Sequence, residues 1–418
     1  MTTTPSTLRR GRCRGPVVAL AAIGLLSLTA CAGSRPPATA AGTAGGQTTG
    51  LRGPALATSL AGSDGTSWAV VDMGDTASTV NGFWELFVRP AGSTAWRLAT
   101  PAGVASNGGL VMTLGAADTL VTGFRPSQKL TFSPLATSAD AGARWSIQAP
   151  LDPGLADVPG ALAGNSAGRL VALTQTGDVE SAAAAGARWT RLTSLAGLAA
   201  GAPGRACGLT ALTAVGWTPA GAPLVAGDCS KPGVTGIFTL SGGAWQAAGP
   251  RLTGSSAQSK IDVVGLTTTA GRMTAVLTVG NGGAASAVAA WSSDDGAHWA
   301  LSAPLPSDAL AAGGQPSVSF SADGSASLVV TTVAGHQASG QVATIGWQAS
   351  DWDPLPSLPP SVAPASTSTR VATLVAAATG APQALEVDRG TLTVWQLGTG
   401  GWTLAQTVRV PVPYGSSG

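Results

Sequence analysis

Two stretches of the chain, SADAGARW (138–145) and SSDDGAHW (292–299), share the pattern S-x-D-x-G-x-x-W. Short Ser and Asp side chains accept hydrogen bonds from nearby backbone amides, which favours a tight turn. Gly supplies a positive φ, and Trp places a large apolar side chain at the start of the next segment. Asp and Trp are both infrequent in this chain, so the repeated pattern predicts that one kind of turn occurs at least twice in the fold.

Weaker copies of this turn recur along the chain. AAAAGARW (182–189) keeps the Gly and the Trp, and four further stretches keep a small turn before Trp. The resulting turn-closing tryptophans are spaced by 44 to 56 residues and are Trp96, Trp145, Trp189, Trp245, Trp299, Trp352 and Trp402. A fixed period of this length indicates a repeat architecture. Seven units of about 50 residues fill the chain from residue 55 to residue 412.

Each unit contains short apolar runs of strand length. The fifth unit has four, at 261–268, 273–279, 287–291 and 299–303, and in the sixth unit Asp323-Gly324 forms a strong hairpin signal. The Ala-rich run 195–200 is the only helix candidate. We therefore predict an all-β fold, a seven-bladed β-propeller of four-stranded antiparallel blades. Six or eight blades are the alternatives, and no strand exchange that would close the ring is visible in the sequence.

The full pattern resembles the Asp-box of sialidase-type (BNR) propellers, which lies between the last two strands of a blade. The resemblance implies structural roles for eight residues: Ser138, Asp140, Gly142, Trp145, Ser292, Asp294, Gly296 and Trp299. Asp-boxes belong to the scaffold of that family, so they imply no activity. Active sialidases use a Tyr nucleophile, whereas the one tyrosine of this chain, Tyr414, follows the last unit. Their F-R-I-P motif is missing, and Phe87-Val88-Arg89-Pro90 only echoes it.

The N-terminal residues have the composition of an export signal. Arg9, Arg10, Arg12 and Arg14 precede the apolar run 17–28, which is too short to span a bilayer. The sequence LTAC (28–31) resembles the lipobox of bacterial lipoproteins, which implies that Cys31 is the lipidated mature N-terminus. We expect residues 1–30 to be a signal peptide and 31–54 a flexible tether. An ordinary secretory signal is the alternative, and the sequence does not separate Sec from twin-arginine export.

Composition and charge narrow the class further. Gly 58 and Pro 28 accompany 44 % apolar and only 10 % charged residues, which is compatible with a large core and many turns. Four of the 22 basic residues precede Cys31, whereas all 20 acidic residues follow it, so the exported chain carries about −2. No basic surface for nucleic acid is expected.

The remaining cysteines are an even pair. Cys207 and Cys229 flank a turn-like segment, 216–221, so we predict that they form a disulfide across a hairpin. Two free buried thiols are the alternative.

Candidate catalytic motifs all have a plainer interpretation. Gly164-Asn165-Ser166-Ala167-Gly168 matches a nucleophile elbow, but it joins two short β runs and is predicted to be a hairpin turn. The acidic pairs are interpreted as turn residues or solvated strand edges: Asp178/Glu180, Asp294/Asp295, Asp351/Asp353 and Glu386/Asp388. His298 and His336 are far apart, and no Cys or His cluster has the spacing of metal ligands. We expect no catalytic residue, metal or cofactor.

These features together predict a non-catalytic lipoprotein of the cell envelope. The propeller would be held on the extracytoplasmic face of the cell membrane by its lipid and would bind an envelope protein or a polymer. The alternative is a glycan-binding or glycan-active relative of the sialidases with altered chemistry, and a weaker third hypothesis is an assembly factor for membrane complexes. The prolines from Pro354 to Pro364 predict a rigid surface loop between units six and seven, and 413–418 a C-terminal tail.

Overall fold

The short apolar runs fold as strands that pair with their neighbours along the chain. The computed structural model describes residues 59–72, 84–101, 110–124, 131–253, 258–281, 283–334, 337–357, 371–374, 381–388 and 391–410. The predicted signal, Cys31, the tether and the C-terminal tail with Tyr414 lie outside these residues. The described residues belong to one compact unit, 51–418.

The strands form seven antiparallel sheets, here called blades I to VII, and each blade contains four consecutive strands in chain order. They are blade I with β1 (Ser59–Ala61), β2 (Ser67–Asp72), β3 (Trp84–Arg89) and β4 (Arg97–Leu98); blade II with β5 (Leu110–Leu114), β6 (Leu120–Phe124), β7 (Leu135–Ser138) and β8 (Ser146–Ile147); blade III with β9 (Pro159–Gly164), β10 (Leu170–Thr174), β11 (Asp178–Ala182) and β12 (Thr190–Ser194); blade IV with β13 (Leu209–Trp217), β14 (Pro223–Cys229), β15 (Ile237–Ser241) and β16 (Ala244–Ala247); blade V with β17 (Lys260–Thr269), β18 (Arg272–Asn281), β19 (Ala284–Ser292) and β20 (Ala300–Leu301), plus β21 (Leu305–Pro306) beside β19; blade VI with β22 (Gln315–Phe320), β23 (Ala326–Ala334), β24 (Gln337–Ile345) and β25 (Asp353–Leu355); and blade VII with β26 (Val371–Leu374), β27 (Gln383–Asp388), β28 (Thr391–Gly398) and β29 (Gly401–Arg409).

The molecule is therefore a seven-bladed β-propeller, as predicted, and the alternatives of six or eight blades are wrong. The first strand of each blade is the inner strand and the fourth is the outer strand. Each of the seven turn-closing tryptophans lies immediately before the outer strand of its blade or within its first two residues. The period of the tryptophans is thus the period of the blades.

Apolar side chains fill every junction between blades. Seven separate clusters of buried residues are present, and each combines residues of two adjacent blades. The cluster between blades VII and I, for example, contains Phe87, Trp96, Leu385 and Val394. Within the described residues every blade consists of strands that are consecutive in the chain, so no strand exchange closes the ring. The ring is closed by packing at the junction between blades VII and I.

The antiparallel order of the strands gives the propeller two different faces. Turns between strands 1 and 2 and between strands 3 and 4 lie on one face, here called the turn face. Loops between strands 2 and 3, and the connections from each outer strand to the next inner strand, lie on the opposite loop face. The loop face carries the predicted helix α1 (Leu195–Ala200) and two short helices that the sequence analysis missed, α2 (Ala202–Cys207) and α3 (Asp308–Ala311). No helix in the described part of the chain is long and apolar enough to cross a membrane.

Candidate functional site

The two S-x-D-x-G-x-x-W stretches form the same hydrogen-bonded turn in blades II and V. The Ser138 hydroxyl accepts the Gly142 amide at 3.0 Å and donates to Asp140 Oδ1 at 2.9 Å, and Asp140 Oδ1 accepts the Arg144 amide at 2.9 Å. In blade V the corresponding distances around Ser292 and Asp294 are 3.0, 2.8 and 2.9 Å. The predicted turn is confirmed at both places.

The charged form of the aspartate is favoured in both turns. The His298 amide and side chain, together with the Ser292 hydroxyl, lower the pKa of Asp294 to about 2. The pKa of Asp140 is lowered as well, chiefly by the Arg144 amide. A carboxylate that accepts backbone hydrogen bonds is stabilised relative to its protonated form. Both aspartates therefore hold a turn and are not arranged as proton donors.

Each of these turns also packs against the preceding blade. A Cβ added at Gly296, where φ is +88°, would lie 2.7 Å from the Ala248 carbonyl oxygen, and one at Gly142 would lie 2.9 Å from the Ala99 Cβ. The Trp299 indole donates to the same Ala248 oxygen at 2.8 Å. Ala99 and Ala248 follow the outer strands of blades I and IV, so the turns join blades. The structure does not bring the two turns together, and neither forms a binding site.

The predicted disulfide joins Cys207 to Cys229, with 5.2 Å between the Cα atoms. Cys229 ends β14, and the hairpin between β13 and β14 turns at 218–222, as expected. Cys207 lies at the end of α2 and not on a strand, so the bond attaches the helical connection on the loop face to blade IV. Both sulfur-bearing residues are buried.

The motif at 164–168 is the hairpin turn between β9 and β10, as predicted. Asn165 Oδ1 accepts the amides of Ala167 and Arg169 at 3.1 and 3.0 Å, which fixes the turn. Because both flanking elements are strands, the strand-to-helix geometry of a nucleophile elbow is absent here.

Two of the four acidic pairs differ from their predicted environment. Glu386 is buried, with 4 % of its surface exposed, and accepts a 2.8 Å hydrogen bond from the Trp395 indole, so it is not a solvated edge residue. Asp178 pairs with Arg191 at 2.7 Å, while burial and then the charges of Asp178 and Asp157 raise the pKa of Glu180. The predicted environment of these two pairs was wrong, because strand alternation does not show which face of a strand is covered by its neighbours.

One buried carboxylate was missed altogether. Glu85 on β3 is 8 % exposed, burial raises its pKa, and the Thr100 hydroxyl donates to its Oε2. No alternation or spacing in the sequence marks this position. Its hydroxyl partner comes from the segment after β4, so its role is to fix the outer edge of blade I.

Arg89 belongs to Phe87-Val88-Arg89-Pro90, the partial match to the F-R-I-P motif, and it takes part in ring closure. Its guanidinium donates to Gln383 Oε1 at 2.8 Å and to the Ser67 hydroxyl at 2.9 Å. It also lies 5.7 Å from the centre of the Trp96 ring, and burial lowers its pKa. These contacts connect blades I and VII, so Arg89 is not presented to a substrate.

A cavity lies on the axis of the propeller. Inner strands of six blades line it: Leu60, Val111–Thr113, Ala161–Gly164, Ala214–Trp217, Val264–Thr268, Val318 and Phe320. Its volume, counted as room for the centres of water-sized molecules, is about 80 Å³, which is enough for a few waters. Among the described residues that line it none is ionisable, and their polar side chains are the hydroxyls of Thr113, Thr267 and Thr268 together with the Trp217 indole. Among the described residues, no group of three or more His, Cys, Asp or Glu is placed to hold a metal.

On the turn face, hydrogen bonds connect neighbouring blades. The Ser63 amide donates to Asp118 at 2.8 Å, the Gly164 amide to the Thr113 hydroxyl at 2.7 Å, and Arg169 to the Gly221 carbonyl at 3.1 Å. Thr268 donates to the Trp217 carbonyl, and the Thr274 hydroxyl donates to the Gly324 carbonyl at 3.0 Å. Five successive junctions, from blade I to blade VI, are linked in this way.

The loop face is built differently. Its connections are longer, for example 148–158, 195–208 and 302–314, whereas the 1–2 turns of blades I to VI span five residues or fewer, as in 165–169. The 195–208 connection contains α1 and α2, and the disulfide fixes it. Lys231, in the neighbouring loop of blade IV, donates to the Arg205 carbonyl at 2.9 Å. The connections from outer to inner strands on this face are therefore longer than the 1–2 turns of blades I to VI and include helices.

Comparison with known proteins assigns the chain to no family. No protein-family model matches the chain, and no curated protein matches it significantly. Similar solved structures include YCF48 from Cyanidioschyzon merolae, with a TM-score of 0.40 and 13 % identity over 81 % of this chain and 92 % of that one. A GH74 xyloglucanase from Xanthomonas campestris has a TM-score of 0.46 and 12 % identity over 83 % of this chain and 52 % of that one. The six-bladed Aleuria aurantia lectin has a TM-score of 0.36 and 16 % identity over 73 % and 96 %. At these values the similarity concerns the fold alone.

Proposed function

We propose that this chain is a non-catalytic, lipid-anchored propeller of the cell envelope that binds an envelope protein or polymer through its loop face. The observation that carries the proposal is the axial cavity, whose described lining residues, from blades I to VI, include no ionisable side chain. General acid–base catalysis needs a titratable group within hydrogen-bond reach of the substrate. These described residues supply hydroxyls, one indole and backbone groups as their polar groups.

The anchor is supported by the N-terminal sequence. Four arginines, an apolar run of 12 residues and Leu28-Thr29-Ala30-Cys31 occur in the order expected of a lipoprotein signal. Several acyl chains on one residue make a stable membrane anchor, whereas a single chain binds only marginally. The Cys207–Cys229 disulfide agrees with an exported chain, because disulfides persist in oxidising compartments.

The choice of the loop face rests on the contrast between the two faces. On the turn face, polar groups form hydrogen bonds between neighbouring blades. The loop face has long connections, two helices held by a disulfide and exposed residues such as Pro232 and Ala312. Binding residues are commonly carried by loops that a rigid scaffold positions.

Turnover assays test the non-catalytic part of this proposal. The purified protein is incubated with a panel of glycosides and cell-wall fragments, together with variants Glu180→Gln and Glu386→Gln. We expect no turnover by any of them. Turnover by the unmodified protein that one of these substitutions abolishes, with the fold retained by circular dichroism, would contradict the proposal and favour a glycan-active function.

A further inference from the structure

The outer strands form the rim of the propeller, and their residues can be compared by counting from the turn-closing tryptophan of each blade. The second residue after each turn-closing tryptophan lies on the outer strand, or directly at its end. In blades VII, I and II this residue is a large apolar one, Leu404, Leu98 and Ile147, with 59, 38 and 56 % of its surface exposed. These blades are consecutive around the ring, since blade VII packs against blade I. Three exposed apolar side chains thus follow one arc of the rim.

The charges around the same tryptophans divide the rim into two halves. Arg97, Arg144 and Arg188 adjoin the tryptophans of blades I, II and III and are exposed. The turns and outer strands of blades V and VI instead carry Asp294, Asp295, Asp351 and Asp353, with His298. Asp140 is the acidic residue in the turn of blade II, and its carboxylate is engaged by the Arg144 amide.

We call Leu404, Leu98, Ile147, Arg97 and Arg144 the rim patch. Arg97 donates one hydrogen bond to the Ala141 carbonyl at 2.6 Å, and this leaves further guanidinium donors for an external group. Leu301 has the same register in blade V and is 37 % exposed, but it lies beside the acidic turn at 292–299. The corresponding residues of blades IV and VI are the smaller Ala247 and Pro354.

The proposed tether would bring this arc close to the membrane. Twenty-seven residues lie between Cys31 and Ser59, and a flexible chain of that length has a root-mean-square span of about 30 Å. Ser59 begins the inner strand of blade I, which is the middle blade of the rim patch. Three strand spacings, roughly 14 Å, separate the inner and outer strands of a blade. A bilayer that touches the outer strand of blade I is therefore within reach of the anchor.

We infer that the rim patch docks on an anionic lipid surface, so that the propeller stands on its edge. Exposed apolar side chains enter the boundary between headgroups and acyl chains, and guanidinium groups bind lipid phosphates with charge-assisted hydrogen bonds. The acidic half of the rim, in blades V and VI, would face away from the negative surface. Both faces of the disc, including the loop face, would stay accessible. This inference rests on the proposed lipid anchor and adds an orientation to it.

The test places an environment-sensitive fluorophore on the rim of the full lipidated protein. With Cys31 acylated and Cys207 and Cys229 in the disulfide, the thiol of Ile147→Cys is free for labelling, and Leu301→Cys provides the matched control at the same register. Each protein is added to vesicles of phosphatidylcholine alone or of phosphatidylcholine with phosphatidylglycerol. We expect a blue shift of the emission at position 147 on the anionic vesicles only. We expect none at position 301, and loss of the shift in an Arg97→Gln/Arg144→Gln background.

Three results would overturn the inference: equal shifts at 147 and 301, equal shifts on neutral and anionic vesicles, or a shift without vesicles that rises with protein concentration. The last would identify a second copy of the chain as the occupant. Flotation with the neutral vesicles reports on the anchor separately. Protein that floats but shows no shift at 147 refutes the docking alone, whereas protein that does not float refutes the anchor.

Discussion

At the scale of single residues, Asp140 and Asp294 in the two S-x-D-x-G-x-x-W turns give the clearest link between sequence and stability. The pKa of Asp294 in the folded protein is about 2, below the value of about 3.9 expected in the unfolded chain. A depressed pKa contributes stability that is complete above the unfolded value and is lost as the pH falls through the folded value. The stabilisation that comes from the charge of Asp294 is therefore lost in acid solution.

We predict that Asp294→Asn destabilises the protein at neutral pH, and that the difference from wild type shrinks as the pH falls toward 2. Denaturant unfolding at a series of pH values measures it. Asp140→Asn should show the same sign, since the turn is the same. A difference that does not vary with pH would show that the charge of Asp294 has no part in the turn.

The proposed lipid anchor depends on a single residue, Cys31. We expect the mature N-terminal peptide to begin at Cys31 with acyl mass, because residues 28–31 resemble a lipobox. Cys31→Ser should abolish incorporation of a labelled fatty acid, whereas the matched control Cys13→Ser, within the predicted signal, should leave it unchanged. Mass spectrometry of the N-terminal peptide makes the measurement, and an unmodified Cys31 in the wild type would refute the anchor.

At the scale of elements, the tryptophan turns explain how far the sequence determines the blades. Seven outer strands begin at the predicted tryptophans, because a turn that needs Gly and a following apolar anchor leaves a readable local pattern. The helices α2 and α3 were missed because six and four residues are too few for helical periodicity. Pro359, Pro360 and Pro364, in the predicted surface loop, lie outside the described residues. Pro354 lies within β25, where an outer edge strand tolerates proline, and not in a loop.

The glycine of the full pattern has two separable functions, and this gives a prediction for the turn. At Gly296 a side chain would strain a positive φ and would also strike Ala248 of the preceding blade, whereas Gly271 has φ +71° with nothing within 4 Å of an added Cβ. Gly271→Ala should cost about 1 kcal/mol for the left-handed backbone alone. Gly296→Ala should cost more, roughly 2–4 kcal/mol, because of the added steric clash. Chemical denaturation compares the two, and equal losses would show that the turn does not join the blades.

At the scale of the whole molecule, the features that matter most join residues distant in the sequence. The axial cavity is assembled from six inner strands, and ring closure depends on Gln383 and Gln406 of blade VII. Trp96 Nε1 donates to Gln383 Oε1 at 3.1 Å, while the Trp96 amide and carbonyl bond to the Gln406 side chain at 2.8 Å each. In blade V the corresponding indole donates to a backbone carbonyl of the preceding blade, so Gln383 replaces that carbonyl at the closing junction. No local pattern marks either glutamine, which is why the sequence predicts the blades but not their closure.

Ring closure by side chains leads to a prediction about stability. Gln383→Ala removes the acceptor of both Arg89 and the buried Trp96 indole, and an unsatisfied buried donor costs about 1–3 kcal/mol. We expect a loss of about 2–4 kcal/mol in the free energy of unfolding. Gln396→Ala, at an exposed position of the same blade, should change it by no more than about 0.5 kcal/mol. Urea unfolding monitored by fluorescence measures both, and equal small effects would mean that apolar packing alone closes the ring.

The claim that this propeller binds a partner with its loop face is tested most directly by site-specific photocrosslinking on intact cells. Photoreactive residues replace Pro232 and Ala312 on the loop face, and Thr94 and Ala183 on the turn face, all of which are exposed. The proposal predicts one recurrent adduct, identified by mass spectrometry as an envelope protein or polymer, from positions 232 and 312 and none from 94 and 183. Adducts from the turn face alone, or equally from both faces, would contradict it.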